Sequence, residues 1–514
     1  MNVAILGERN VEKFGEYESL VFEGRSYTNV ELHGMAGRFA TALAGLGVEP
    51  GDRVGVMMPN MPEVGLSYNA VSRLGAINIP MIFLLAVPEI VHILHDSEAK
   101  VIITSPEFHP NVAQACAQLE KPPIVIVAGD PTPDGALSFH SLLDQVSDLL
   151  PITDRADDDL ALISYTSGTT GRPKGVMLTH ANMLFQGQNT AKVVDLREGD
   201  RSVHCLPLAH LFGFGASVIG NLFKVTGLLM RWFTAEAFFD GVNNLGGTNS
   251  SVVPTMLVYM LSHPEFDDVD WSNFRWIVVV AAPVPIELAD EFEKRTGAKV
   301  LEGYGLTETS PAATLNRSDE PRRPGSCGRP VPNVDIKIVD DDGNELLAGA
   351  PGEVCIKGPN VMKGYYKMSE ETARTIKDGW FLSGDVGHLD EDGYLYITER
   401  KKDLIIRGGF NIFPRDIEEV LYGHHAVSEA AVVGIPDAKL GEQVIAYVVL
   451  RPSQTASEEE LMQLCRERLA KYKTPSGVRF IDALPKNPIG KILKKDLREL
   501  AKAERGIAEP APRG

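Results

Sequence analysis

A chain of 514 residues is too long for one hydrophobic core, and at about 100–200 residues per domain it should hold roughly three structural units with clefts between them. With 44% apolar and 23% charged residues it is an ordinary folded chain, which excludes the disordered and fibrous classes. The formal net charge of -19 argues against general affinity for nucleic acid or anionic membrane, so any phosphate must be met by local groups.

The opening Met1-Asn2-Val3-Ala4 lacks the basic-then-apolar order of a secretion signal. Periodicity then predicts a helix over 29–46, a strand over 53–58, a helix over 63–74 and further strands at 101–104 and 124–127. This alternation implies sheets covered by helices, the α/β class. The most apolar early stretch, 77–94, is interrupted by Pro80, Pro88, Glu89 and His92 and does not read as a membrane span. A cytoplasmic protein without integral membrane association is expected. His92 and His95 stand three apart, but no further ligand pattern surrounds them. The five cysteines are scattered without paired spacing and read as core thiols, with neither a zinc knuckle nor a disulfide framework.

From about residue 325 short strands punctuated by Gly, Pro and Asp, at 334–339, 352–358 and 393–398, predict a small β-barrel or β-rich lobe. The charged run Glu399-Arg400-Lys401-Lys402-Asp403 precedes a compact unit with a Pro-initiated helix at 414–421, strands near 430–433 and 444–450, and a helix near 457–469. The main boundary is set at Lys402. The division is therefore 1–401, with subregions of about 1–155, 156–325 and 326–401, and 402–514.

Chemistry concentrates first in Tyr165-Thr166-Ser167-Gly168-Thr169-Thr170-Gly171-Arg172-Pro173-Lys174-Gly175-Val176, which follows an apolar strand at 160–164. Three of its glycines, Gly168, Gly171 and Gly175, let backbone approach a polyphosphate, while Thr166, Ser167, Thr169, Thr170 and Lys174 supply donors and charge. It is not a Walker loop, because Pro173 precedes the lysine and Gly175 follows it. A plain flexible turn has no need of a lysine after so many hydroxyls. Glu302-Gly303-Tyr304-Gly305-Leu306-Thr307-Glu308-Thr309 is a second glycine-spaced polar segment, and taken alone it reads as a tight glycine turn with a capped helix.

On these segments the chain resembles the adenylate-forming superfamily of acyl-CoA synthetases, adenylation domains and beetle luciferases, over about residues 22–497. The resemblance implies a large N-terminal adenylation domain of two helix-covered β-sheets plus a small β-barrel lobe, and a small mobile C-terminal α+β domain hinged near Lys402. It implies Tyr304 against adenine, Thr307 against the α-phosphate and Glu308 on the metal. Ser383-Gly384-Asp385 with Arg400 resembles the ribose clamp, although an Asp in a surface turn would look the same. Leu206-Pro207-Leu208-Ala209-His210-Leu211-Phe212-Gly213 resembles the segment that closes over the carboxylate, making His210 a substrate gate and not a base, since the substrate is already ionised. Pro485-Lys486-Asn487-Pro488-Ile489-Gly490-Lys491-Ile492 assigns Lys491 to bridge the carboxylate and the α-phosphate. Gly408 and Gly409 would let backbone lie along a pantetheine channel after the C-terminal domain rotates.

The activity implied is conversion of a carboxylic acid and ATP to an acyl-adenylate and pyrophosphate, followed by thioester formation with coenzyme A, with Mg2+ as cofactor and no acyl-enzyme intermediate. A stand-alone enzyme loading a carrier protein, a luciferase-like oxygenase and a catalytically dead nucleotide-binding protein share the nucleotide motifs and stay as alternatives. Small molecules are the expected partners, and a homodimer is left open. His210, Phe212, Val280, Ala281 and Gly303 are the expected acyl-pocket residues. Val280 and Ala281 stand where the family commonly has glycine, which points to a shortened tunnel and a small to medium aliphatic or alicyclic acid.

Overall fold

The computed structural model describes residues 1–166, 173–400, 403–407, 410–437, 440–486 and 492–504, excluding the side chains of Arg400 and Asn411. Two large sheets make the N-terminal part. One has nine strands, centred on parallel Arg201–His204, Thr226–Leu229, Asn249–Val252, Trp276–Val279 and Lys299–Tyr304. The other has eight, centred on parallel Arg53–Met57, Ile77–Pro80 and Val101–Thr104.

Several of these strands, such as Thr226–Leu229, Trp276–Val279, Ile77–Pro80 and Val101–Thr104, are short, largely apolar runs buried throughout, as parallel sheets covered by helices require. The helices predicted near 29 and 63 are Asn29–Gly45 and Pro62–Leu74. The first is started by the Thr28 hydroxyl, which accepts from the Glu31 amide at 3.1 Å, and the second by Pro62, whose missing N–H costs nothing at a first helical position. One apolar cluster runs from Val3 through Phe39, Val56 and Leu178 to Val354 and Leu395, so the large sheets and the β-rich lobe share a core.

That lobe takes the form of a five-stranded antiparallel sheet containing Asp335–Val339, Gly352–Lys357 and the long Trp380–Leu389. Beyond it lies a small domain whose own core centres on Val427–Asp437 and Gly441–Leu450, an antiparallel pair covered by Pro414–Tyr422 and Glu458–Arg468. The class is therefore α/β with a large N-terminal part and a small C-terminal α+β domain. Among the described residues no helix is long and apolar enough to cross a membrane.

Candidate functional site

A cavity of about 2070 Å³ opens where the large sheets, the β-rich lobe and the C-terminal domain meet. Single-ligand pockets commonly occupy about 300–1,000 Å³. This one has room for a nucleotide and a second substrate together.

The hydroxyl-rich segment enters and leaves the described chain at the cavity wall, with Thr166 on one side and Pro173 and Lys174 on the other. Both ends are tethered to the helix Val87–Ser97. Tyr165 Oη donates to Asp96 Oδ2 at 2.6 Å, and the Pro173 carbonyl lies 2.9 Å from His92 Nε2. The role of His92 is thus to hold backbone. Ser167, Gly168, Thr169, Thr170 and Gly171 lie outside the described residues. Gly175 is needed for packing, since a Cβ there would stand 2.9 Å from Ile163 Cγ2 and 3.2 Å from the Tyr165 ring.

Three polar couples line the nucleotide end. Tyr304 Oη donates to Asp385 Oδ2 at 2.7 Å, and Asp385 is buried. Tyr365 Oη donates to Glu308 Oε1 at 2.9 Å, and its raised pKa follows from burial and then the Glu308 charge. Lys174 Nζ pairs with Glu371 and lies 5.2 Å above the Tyr365 ring. Asp385 faces Arg400 across the strand register, which brings the two backbones of the proposed ribose clamp together, while the Arg400 side chain falls outside the description. Thr307 also lines the cavity, at the start of the single turn Thr307–Thr309.

The backbone around these groups is crowded. A Cβ on Gly305 would sit 1.7 Å from the Pro311 carbonyl oxygen, so only glycine fits. Gly303, expected in the acyl pocket, lines the cavity, but a Cβ there would stand 2.9 Å from Leu315 Cδ1 and 3.1 Å from the Thr314 carbonyl oxygen. Close pairing with the strand Thr314–Leu315 accounts for this glycine without any substrate. Beside them Glu302 is buried, with its carboxyl pushed up to about 7 by desolvation against the opposing charges of Arg415 and Arg322.

At the other end His210 precedes the helix Leu211–Leu222, where its Nδ1 accepts from the Phe212 amide at 3.3 Å. The ring keeps an accessible edge on the cavity yet is enclosed by protein, and desolvation pushes its pKa down to about 4. It is a neutral imidazole at neutral pH. Phe212, Val280 and Ala281 also line the wall. Ala281 has φ of 71°, in the left-handed region where glycine is favoured.

The C-terminal domain closes the cavity through side-chain contacts. Arg415 Nη1 donates to the Ile397 carbonyl at 2.6 Å, Lys486 Nζ donates to Thr255 Oγ1 at 3.1 Å, and Lys494 Nζ lies 2.8 Å from Glu399 Oε2. Lys486 and Ile492 line the cavity; Lys491, between them, lies outside the described residues, as do Lys402, Gly408 and Gly409. Sequence reasoning missed Glu371, Tyr365 and Glu302. Glu371 is 197 residues from Lys174 and sits in an ordinary acidic first turn, so nothing in its neighbourhood marks it.

Comparison with known proteins agrees along nearly the whole chain. A family profile described as AMP-binding enzyme matches residues 7–366, and one described as AMP-binding enzyme C-terminal domain matches 416–491. The feruloyl-CoA synthase of Amycolatopsis sp. is 38% identical over 478 residues, spanning 92% of this chain and 94% of that protein. A long-chain-fatty-acid–CoA ligase of Bacillus subtilis (strain 168) is 36% identical over 518 residues, spanning 95% and 92%. Among solved structures, the anthranilate CoA ligase AuaEII in complex with anthranoyl-AMP superposes with a TM-score of 0.93 at 30% identity, covering 98% of each chain.

Proposed function

From the premise that this chain belongs to the AMP-binding enzyme family, we propose that it activates a carboxylic acid with ATP and passes the acyl group to the thiol of coenzyme A. The observation that carries this reading is the set of three couples on one wall, Tyr304 with Asp385, Tyr365 with Glu308 and Lys174 with Glu371, beside the two ends of a hydroxyl-rich loop. They offer a flat ring, a carboxylate for a ribose, a carboxylate for a cation and an ammonium for a phosphate.

In the first step a carboxylate oxygen of the acid attacks the α-phosphorus of ATP, the bond to the β-phosphate oxygen breaks, and pyrophosphate leaves with the electron pair. Two anions must meet, so positioning and charge neutralisation carry the catalysis. Asp385 orients the ribose, Tyr304 packs on adenine, and Lys174 exchanges Glu371 for phosphate oxygens. Thr307 donates to the α-phosphate and Lys491 spans both reactants. His210, neutral as desolvation keeps it, packs over the carboxylate and takes no proton.

Mg2+ fits Glu308. Its carboxylate is oriented by the Tyr365 hydroxyl, and among the described residues no cluster of three or more His, Cys, Asp or Glu could hold a bare ion. One carboxylate plus substrate phosphates is the donor set magnesium commonly takes. Bound there, it would add positive charge against the departing pyrophosphate.

In the second step the thiol sulfur attacks the acyl carbon, AMP leaves, and the thiol proton goes to solvent. The adenylate is reactive enough to need no protein nucleophile. Rotation of the C-terminal domain about Lys402, bringing Gly408 and Gly409 to the cavity, would expose the adenylate to the thiol. Location in the cytoplasm, where ATP and coenzyme A are available, accords with this reading.

A pyrophosphate-release screen over a panel of carboxylic acids, with and without coenzyme A, tests it. Release that depends on an acid, with AMP and a thioester as products once coenzyme A is added, is the expected result. Formation of ADP and orthophosphate would overturn the reading.

A further inference from the structure

The cavity does not end at Val280 and Ala281. It continues along the helix Leu211–Leu222, whose Phe212, Ala216, Ile219, Gly220 and Asn221 all face it. Phe212 to Asn221 is nine helical steps, about 14 Å at roughly 1.5 Å per residue. The lining also includes apolar Leu20, Leu32, Leu196 and Val225, alongside polar Asn10, Asn29 and Thr190. The short tunnel expected from the segment 279–285 concerns one wall; Gly220, on a different element, leaves open the space along the helix.

Gly220 is informative. Glycine inside a helix is unfavourable unless packing demands it, and a Cβ at Gly220 would meet no atom within 4 Å. Packing does not require this glycine. An unobstructed chamber does.

The chamber wall also carries polar groups that have no partner among the described residues. His204 ends the strand Arg201–His204 with its ring on the cavity, and Gly227 gives that ring room, since a Cβ there would stand 3.1 Å from His204 Cδ2. The imidazole has no protein hydrogen-bond partner among the described residues. Desolvation holds it neutral, with a pKa pushed down to about 4, so it presents one donor and one acceptor. Nearby, the Gln186 amide donates to Thr190 Oγ1 at 3.2 Å, but its carbonyl oxygen is buried without a partner. A plain hydrocarbon lying against these groups would leave them desolvated and unpaired, which is unfavourable.

Resting on the function proposed above, we infer that the acid has an elongated apolar body filling the chamber along Leu211–Leu222 and carries a hydroxyl or oxo group partway along that body to hydrogen-bond His204. The aliphatic remainder is selected by length, and the oxygen by the imidazole.

The test is kcat/KM from pyrophosphate release over straight-chain acids from hexanoate to hexadecanoate, together with dodecanoates bearing one hydroxyl or keto group at successive carbons. Values should rise from hexanoate to dodecanoate, and at one or more positions the substituted acid should exceed dodecanoate by on the order of tenfold, the scale of one satisfied polar group. In His204→Phe the ratio of substituted to plain acid should fall toward one, and His204→Asn should recover part of it. In Gly220→Leu the ratio of dodecanoate to hexanoate should fall. The wild-type profile needs no variant and is decisive by itself. Turnover of short acids without any gain from length or oxygen overturns the inference and leaves the function standing. Absence of pyrophosphate release with every acid overturns both.

Discussion

The two ends of the cavity are built on opposite electrostatic plans. At the end expected to take the nucleotide, three charged groups on the wall already have partners: Lys174 holds Glu371, Asp385 accepts from Tyr304 and Glu308 accepts from Tyr365. At the acyl end much of the lining is apolar, and the imidazole of His204 has no hydrogen-bond partner among the described residues. A ligand at the first end must exchange partners, so single substitutions act through charge and act steeply. A ligand at the second end fills space, so substitutions there grade with volume.

The steepest test of that contrast is Lys491→Ala. Loss of one cation poised on the developing charge should lower the adenylation rate by roughly 10²–10³-fold, read as single-turnover pyrophosphate release. Thioester formation from a supplied acyl-adenylate should fall far less, and equal loss in both steps would remove Lys491 from its assigned place. Next, Asp385→Ala should raise KM for ATP by on the order of tenfold or more, with little change in KM for the acid, because a buried carboxylate that accepts from Tyr304 and holds the ribose is lost. An equal rise in both KM values would mean that Asp385 supports the fold and not the nucleotide. Glu371→Gln should do the reverse. It releases Lys174 from its ion pair, and KM for ATP should drop by about 2–5-fold, the scale of a partly exposed pair. The smallest effect on activity should come from Ala281→Gly, which relieves a left-handed residue and should add up to about 1 kcal/mol of stability, seen as a slightly raised Tm.

The acid–base balance of stability rests on four desolvated titratable groups. His180, His204 and His210 are all pushed down to about 4 by burial and are neutral in the fold. In the unfolded chain they protonate near 6.5, so their contribution is fully present above that value and is lost as pH falls from about 6.5 toward 4. Glu302, pushed up to about 7, works in the opposite direction. The fold binds its proton more tightly than the unfolded chain does, so that contribution is lost as pH rises from about 4.5 through 7. Thermal melting across pH 4–9 should show Tm falling steeply on the acid side and more gently through neutrality, with Glu302→Gln flattening the neutral slope alone. A neutral slope unchanged by that substitution would remove Glu302 as its source.

How much of this could be read in the sequence depended on whether a feature was contiguous. Strands such as Val101–Thr104 and Ile124–Val127 were legible because burial on both faces leaves an unbroken apolar run. That Tyr304, Thr307 and Glu308 share the cavity wall was legible because they lie within a few residues of one another, at a strand end and the turn after it. The roles assigned to Lys491, Lys402, Gly408 and Gly409 rest on motif alone. The Lys174–Glu371 pair was not legible, since a helical carboxylate carries no mark of a lysine brought to it by folding. The chamber was hidden for a related reason. Its walls come one residue at a time from separated helices and strands, and a glycine such as Gly220 looks the same whether it yields space to a neighbour or to nothing. Gly303 shows the converse ambiguity: it lines the cavity, but close pairing with the adjoining strand already accounts for a glycine there.

The Lys174–Glu371 pair has one more consequence. An ammonium already matched by its own carboxylate is a poor trap for stray monoanions, since each must break the internal match and returns only one contact for it. A triphosphate approaches with several oxygens and can meet the loop and the lysine together. Such an internal counterion would act as a threshold that a multidentate triphosphate crosses more readily than phosphate or acetate.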